Sequence, residues 1–132
     1  MKVKLKNGKI VNLSYFQNKA PEGDVRCRSS YHLLAREVIR ACYTDPLYEE
    51  VHVPGEHFYL DFFLPSRKIV VEVHGEQHYE FNSFFHKTKV DFLKQKNADK
   101  NKKDFCEYNG FSYVEFPYNE SKEQWTTRLL NC

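Results

Sequence analysis

Residues Phe58–Tyr79 read FYLDFFLPSRKIVVEVHGEQHY: two strand-like runs, parted by Pro65-Ser66 and closed by Gly75. Aromatic and β-branched residues dominate both runs, as expected of strands with a buried side. Each run nevertheless carries an acid. Alternation sets Tyr59, Asp61 and Phe63 on one side of the first. In the second, Ile69, Val71 and Val73 share one side, and Val70, Glu72 and His74 the other. Side chains two residues apart on a strand lie about 7 Å from each other, so Glu72 and His74 point the same way. Pairing the two runs places Asp61 beside Glu72, and the turn after Gly75 presents Glu76, Gln77 and His78.

The flanking sequence extends this pair into a domain. Residues 48–53, YEEVHV, form another strand, separated by Pro54-Gly55, so three antiparallel strands in a meander are expected. Ahead of them, Ser29 or Ser30 caps a helix running to about Tyr43. Its apolar face is read as Leu33, Leu34, Val38 and Ala41, with Glu37 inside that arc. A polar and aromatic loop at 79–87 leads to a long helix from about Thr88 to Tyr108, stopped by Asn109-Gly110. A strand at 111–116 and a short helix from about Ser121, carrying Trp125 and Leu129, complete the chain. Residues 2–16 alternate around Asn7-Gly8, a hairpin signal, and 17–28 read as a loop. The expected fold is a single α+β domain: hairpin and loop (1–28), an αβββαβ core (29–118) and a terminal helix (119–132).

With 132 residues, 41% hydrophobic and 16% aromatic, the chain is long enough and apolar enough for one packed core. The formal charge is only +2, but it is unevenly spread, with seven Lys against two Asp between Lys87 and Lys103. A concentration of this kind fits either a polyanion-binding surface or a solvated helix face. Cys27, Cys42, Cys106 and Cys132 form no C-x-x-C pair, which argues against a cysteine-built zinc site and for reduced thiols. No apolar run is long enough to span a membrane, and no signal-peptide or lipidation pattern is present. These features lead to the expectation of a cytoplasmic protein.

The second long helix repeats the pattern of an acid on a packed side. Phe92, Asp99 and Cys106 recur every seven residues and form its expected inward stripe. Each acid taken alone has an ordinary explanation: Glu37 at the edge of its arc, Asp61 meeting a backbone N–H or a lysine, Glu72 on a half-exposed strand. Together, Glu37, Asp61, Glu72 and Asp99 sit on elements able to converge. Buried carboxylates repel unless a cation neutralises them, so convergence implies a metal. Oxygen donors point to Mg²⁺ or Mn²⁺. An acid cluster, a histidine and a lysine-rich helix together suit phosphodiester hydrolysis.

This order of elements resembles the PD-(D/E)XK restriction-endonuclease-like fold, with an acid on the second strand and Glu72-Val73-His74 on the third, where His74 replaces the usual Lys. The span Phe58–Phe116 looks more narrowly similar to the very-short-patch-repair (Vsr-like) branch, which includes the EDxHD homing endonucleases of introns and phages. That resemblance implies a Mg²⁺- or Mn²⁺-dependent DNA endonuclease with roles falling on Glu37, Asp61, His78 and Asp99. The wider fold implies Asp61, Glu72 and the Val73 carbonyl as metal ligands, Glu72 being an acid that departs from the narrower branch; Glu37 would reach a metal-bound water or second metal, and Asp99 would orient the histidine or bind a water. Lys94, Lys96, Lys100 and Lys103 would hold DNA, and a homodimer or larger assembly would cut both strands. The base is His74 or His78; the family pattern, with its histidine past the turn, favours His78. The cysteine/histidine zinc set of the mismatch-repair enzymes is absent, so mismatch recognition does not carry over. Two rival readings stand beside the nuclease: a non-catalytic nucleic-acid-binding module, and a protein-interaction domain docking through Phe81, Phe84 and Phe85.

Overall fold

Among the described residues, each of the three α-helices begins where the sequence supplies a capping side chain. The Ser29 hydroxyl accepts the His32 N–H at 3.1 Å and opens α1 (Ser30–Cys42). Thr88 and Asp91 form a reciprocal capping box at the start of α2 (Lys89–Tyr108). Ser121 and Gln124 do the same for α3 (Lys122–Leu130). The computed structural model describes residues 1–21, 29–76, 86 and 88–132.

The described residues also form six strands: β1 (Lys2–Lys4), β2 (Ile10–Asn12), β3 (Tyr48–His52), β4 (Tyr59–Leu64), β5 (Ile69–His74) and β6 (Ser112–Pro117). The chain is thus α+β, a four-stranded mixed sheet in the order β3-β4-β5-β6 plus a two-stranded hairpin, β1-β2. The first three sheet strands are the antiparallel meander the turns imply. β6 joins parallel to β5 because α2 supplies the crossover, and every residue of β5 is paired along it.

Alternation divides the sheet into two packed sides. Phe62, Leu64, Ile69, Val71, Val114 and Phe116 pack with α1 and α3. Phe63, Val70 and Tyr48 pack with Phe105 and Cys106 of α2 and with Val3, Leu5 and Leu13 from the hairpin. Trp125 of α3 stacks on Phe116 at 4.7 Å and donates its indole N–H to the Pro117 carbonyl at 2.9 Å, so its one polar group is satisfied. Asn109 both ends α2 and clasps the hairpin, accepting the Lys4 N–H at 2.7 Å and donating to the Lys4 carbonyl at 3.0 Å.

The inward face of α1 differs from the sequence expectation. His32, Ala35, Arg36, Val38 and Ile39 are buried, whereas Ala41 is exposed and Leu33 and Leu34 are half-buried. The apolar arc is rotated by about one residue, because Arg36 and His32 are buried with a partner on β3 and their neighbours turn with them.

Gly55, between β3 and β4, has φ +87°, and a Cβ there would lie 2.6 Å from Leu5 Cδ1 of the hairpin. Gly55→Ala is therefore expected to lose about 1–2 kcal/mol from left-handed backbone strain alone, with the hairpin contact adding to it. A thermal melt that matches wild type would contradict this.

Candidate active site

Asp61 and Glu72 clasp each other across β4 and β5. The Asp61 backbone N–H donates to Glu72 Oε2 at 2.7 Å, and the Val73 N–H donates to Asp61 Oδ2 at 3.0 Å. Glu72 is only 1% exposed. Burial, and then the Asp61 charge beside it, push its carboxyl up to about 8. Its remaining oxygen, Oε1, accepts from the Lys102 ammonium of α2. Burial alone would push Lys102 down, but Glu72, Asp61 and Asp99 hold it above the ordinary lysine range.

Lys102 is the functional-looking group that sequence reasoning missed. Counted among the lysines of this helix, it is indistinguishable in sequence from the outward-facing ones. Its signal was its spacing: Gln95, Asp99, Lys102 and Cys106 fall four, three and four residues apart, one stripe of a helix. Asp99 on that stripe is half-buried and lines a cavity of about 540 Å³ together with Asp61, Glu50, Gln95 and Lys102. A second cavity, of about 560 Å³, opens between the N-terminus of α1 and the end of β5, lined by Ser29, His32, Glu50, Asp61, Val73 and Glu76 among others. Asp61 and Glu50 belong to both cavities.

Three expected site residues need correction or fall elsewhere. Glu37 does not join the other acids: its side chain is 49% exposed and pairs with Lys122 of α3 at 3.4 Å. The rotation of α1 carries it to the surface, so it is no part of a metal shell with Asp61. His74 is buried, with Nδ1 3.3 Å from Glu115 and Nε2 3.3 Å from the Tyr113 hydroxyl. With both nitrogens engaged it bridges β5 to β6 rather than facing either cavity as a base. His78 lies outside the described residues, as do Phe81, Phe84 and Phe85. Lys94, Lys96, Lys100 and Lys103 are exposed on α2, where Lys100 pairs with Asp104 at 3.1 Å.

Among the described residues, no group of three or more His, Cys, Asp or Glu side chains is arranged to hold a metal ion. Mg²⁺ is commonly held by one or two carboxylates, with water and substrate phosphates filling its remaining positions. Asp61 and Glu72 fit that smaller requirement by their chemistry, being adjacent hard donors of which one is strained by the charge of the other. In the structure the Lys102 ammonium neutralises the pair, so a divalent ion would share or take over that role.

A second charged cluster lies behind the same cavity. Glu49 of β3 accepts from Arg36 Nε at 2.6 Å and Nη2 at 2.8 Å, and its Oε1 is 2.9 Å from His32 Nε2. Burial pushes the Glu49 carboxyl up, but Arg36 and His32 outweigh that and hold it down at about 2. A carboxyl lowered on folding adds stability above its unfolded value of 4.5, and that contribution is lost as pH falls through about 2. Between pH 4.5 and 2 the melting temperature of wild type is therefore expected to fall more steeply than that of Glu49→Gln. Parallel slopes in the two acid melts would refute the assignment.

The chain is similar to three viral proteins. It is 32% identical over 96 residues to "Uncharacterized protein 033L" of Invertebrate iridescent virus 3, a match covering 73% of this chain and 48% of that protein. It is 39% identical over 59 residues to "Uncharacterized protein 307L" of Invertebrate iridescent virus 6, covering 45% and 30%. It is 38% identical over 65 residues to "Uncharacterized protein 094L" of Frog virus 3 (isolate Goorha), covering 48% and 42%. The chain thus spans about half the length, or less, of the curated relatives it matches. No protein-family model and no solved structure matches it. Among the described residues, no helix is long and apolar enough to cross a membrane.

Proposed function

We propose that the chain is a metal-dependent DNA endonuclease of the restriction-endonuclease-like type, related in its site to the Vsr-like branch. The observation that carries this reading is the clasp of Asp61 and Glu72 on adjacent strands, backed by Lys102 and bordered by Asp99, with Asp61 in the wall of two open cavities. Setting the buried Glu72 carboxylate against the half-buried Asp61 costs stability unless the arrangement serves something else, and strained titratable groups beside a cleft are typical of reactive sites.

Asp61 and Glu72 would hold the Mg²⁺ or Mn²⁺, with the Val73 carbonyl as a further oxygen. When bound, the ion supplies charge to the phosphoryl oxygens and lowers the pKa of water. Lys102 offsets part of the upward push on Glu72 and adds a positive charge where phosphate charge builds up. Asp99 adds a carboxylate to the rim of the same cavity. Exposed lysines of α2 would contribute salt-sensitive contacts to the DNA backbone.

A second reading, a non-catalytic nucleic-acid-binding module, is favoured by one observation: the Lys102 ammonium pairs directly with Glu72. Incubating supercoiled plasmid with the protein in EDTA, Mg²⁺ or Mn²⁺ separates the two. Metal-dependent conversion to nicked or linear DNA supports the nuclease. DNA binding without cleavage, and without heat of Mg²⁺ or Mn²⁺ binding by titration calorimetry, supports the module.

A further inference from the structure

His32 is an imidazole fixed in place with one nitrogen left over. Its ring stacks on Phe62, with centroids 4.5 Å apart and planes 26° apart, and its Nε2 meets Glu49 Oε1. Glu49 is itself held by two bonds from Arg36, which is 1% exposed. An ionised carboxylate only accepts hydrogen bonds, so the neutral imidazole must carry its proton on Nε2 and its lone pair on Nδ1. Among the described residues Nδ1 has no hydrogen-bond partner. His32 also lines the cavity of about 560 Å³ that Asp61 lines.

We infer that His32 is a catalytic base of this site, oriented by Glu49 and Arg36, taking a proton from the water that attacks a phosphodiester bound against Asp61. The inference rests on the nuclease reading above. In this step the water oxygen bonds to phosphorus as its proton passes to His32 Nδ1. The opposite ester P–O bond breaks, and the leaving alkoxide takes a proton from solvent. Glu49 stabilises the imidazolium so formed, and the Nδ1 proton then returns to solvent. Glu49 and Arg36 are positioning residues, since neither reaches the reacting atoms. His74, by contrast, has both ring nitrogens engaged and is absent from the cavity walls.

The test compares plasmid cleavage in Mn²⁺ by wild type, Asp61→Asn, His32→Gln and His32→Ala. His32→Gln keeps a donor for Glu49 and should melt near wild type, yet cut about 100-fold more slowly, the lower end of general-base contributions. His32→Ala should regain part of its lost rate on addition of imidazole, which fills the vacated space and takes the proton. If wild type cuts, Asp61→Asn does not and His32→Gln cuts at the wild-type rate, the role of His32 is overturned and the nuclease reading stands. A folded His32→Ala that is slow and gains nothing from imidazole also overturns it. If wild type cuts nothing under any metal, the nuclease reading falls, and this inference with it.

Discussion

Asp61→Asn is expected to fold as wild type does and to lose metal-dependent DNA cleavage by about a thousandfold, roughly 4 kcal/mol of transition-state stabilisation. The variant isolates charge from structure. The Asn side-chain oxygen still accepts the Val73 N–H, the one bond that Asp61 Oδ2 makes on β5. What disappears is the negative charge that holds a divalent cation and that raises Glu72. The nicking rate of supercoiled plasmid in Mn²⁺, measured beside a melting curve, reads both quantities. A rate within tenfold of wild type would remove Asp61 from the mechanism and take the main support from the nuclease reading.

The largest expected loss of stability belongs to Arg36→Met. Arg36 is fully enclosed and gives two hydrogen bonds to Glu49, which is itself buried beneath α1. Removing the guanidinium leaves a largely buried carboxylate with His32 as its remaining partner among the described residues. Breaking one side of such a pair costs about 3–5 kcal/mol, enough to lower the melting temperature by roughly 10 °C. The double variant Arg36→Met/Glu49→Leu should recover most of this, because neither charge is then stranded. Urea denaturation of the three proteins gives the comparison. A single-variant loss below 1 kcal/mol would mean that water reaches Glu49 and screens it.

Local chemistry made most of the architecture readable. Asn7-Gly8, Pro54-Gly55 and Pro65-Ser66 mark turns, and Ser29, Thr88 and Ser121 mark helix starts, because each feature acts over three or four residues. Asp61 and Glu72 were legible for a related reason: period two and a short hairpin leave little freedom in register. Glu37 was misplaced because a helix face is decided by its partner, and one residue of rotation turns an inward position outward. The partner was Glu49, hidden in YEEVHV, where adjacent Glu49 and Glu50 look equivalent in sequence. His32 and Arg36, four apart like Ala35 and Ile39, carried the signal that α1 buries polar groups on purpose. Glu115 was missed likewise: it shares a side of β6 with Tyr113 and meets Glu72 only through the parallel register set by α2. Pairings made through a crossover are not visible in local patterns.

Asp61 stands where two hollows of similar size, about 560 and 540 Å³, share a wall. A small metabolite would need only one of them. A linear polymer crossing the carboxylate would occupy both, with the chain on one side of the severed bond resting near α1 and the other side near α2. Each new end would then have its own exit, so neither fragment would have to leave before the other. Traffic of this kind suits a cutter acting in the interior of a long strand rather than one that trims from its tip.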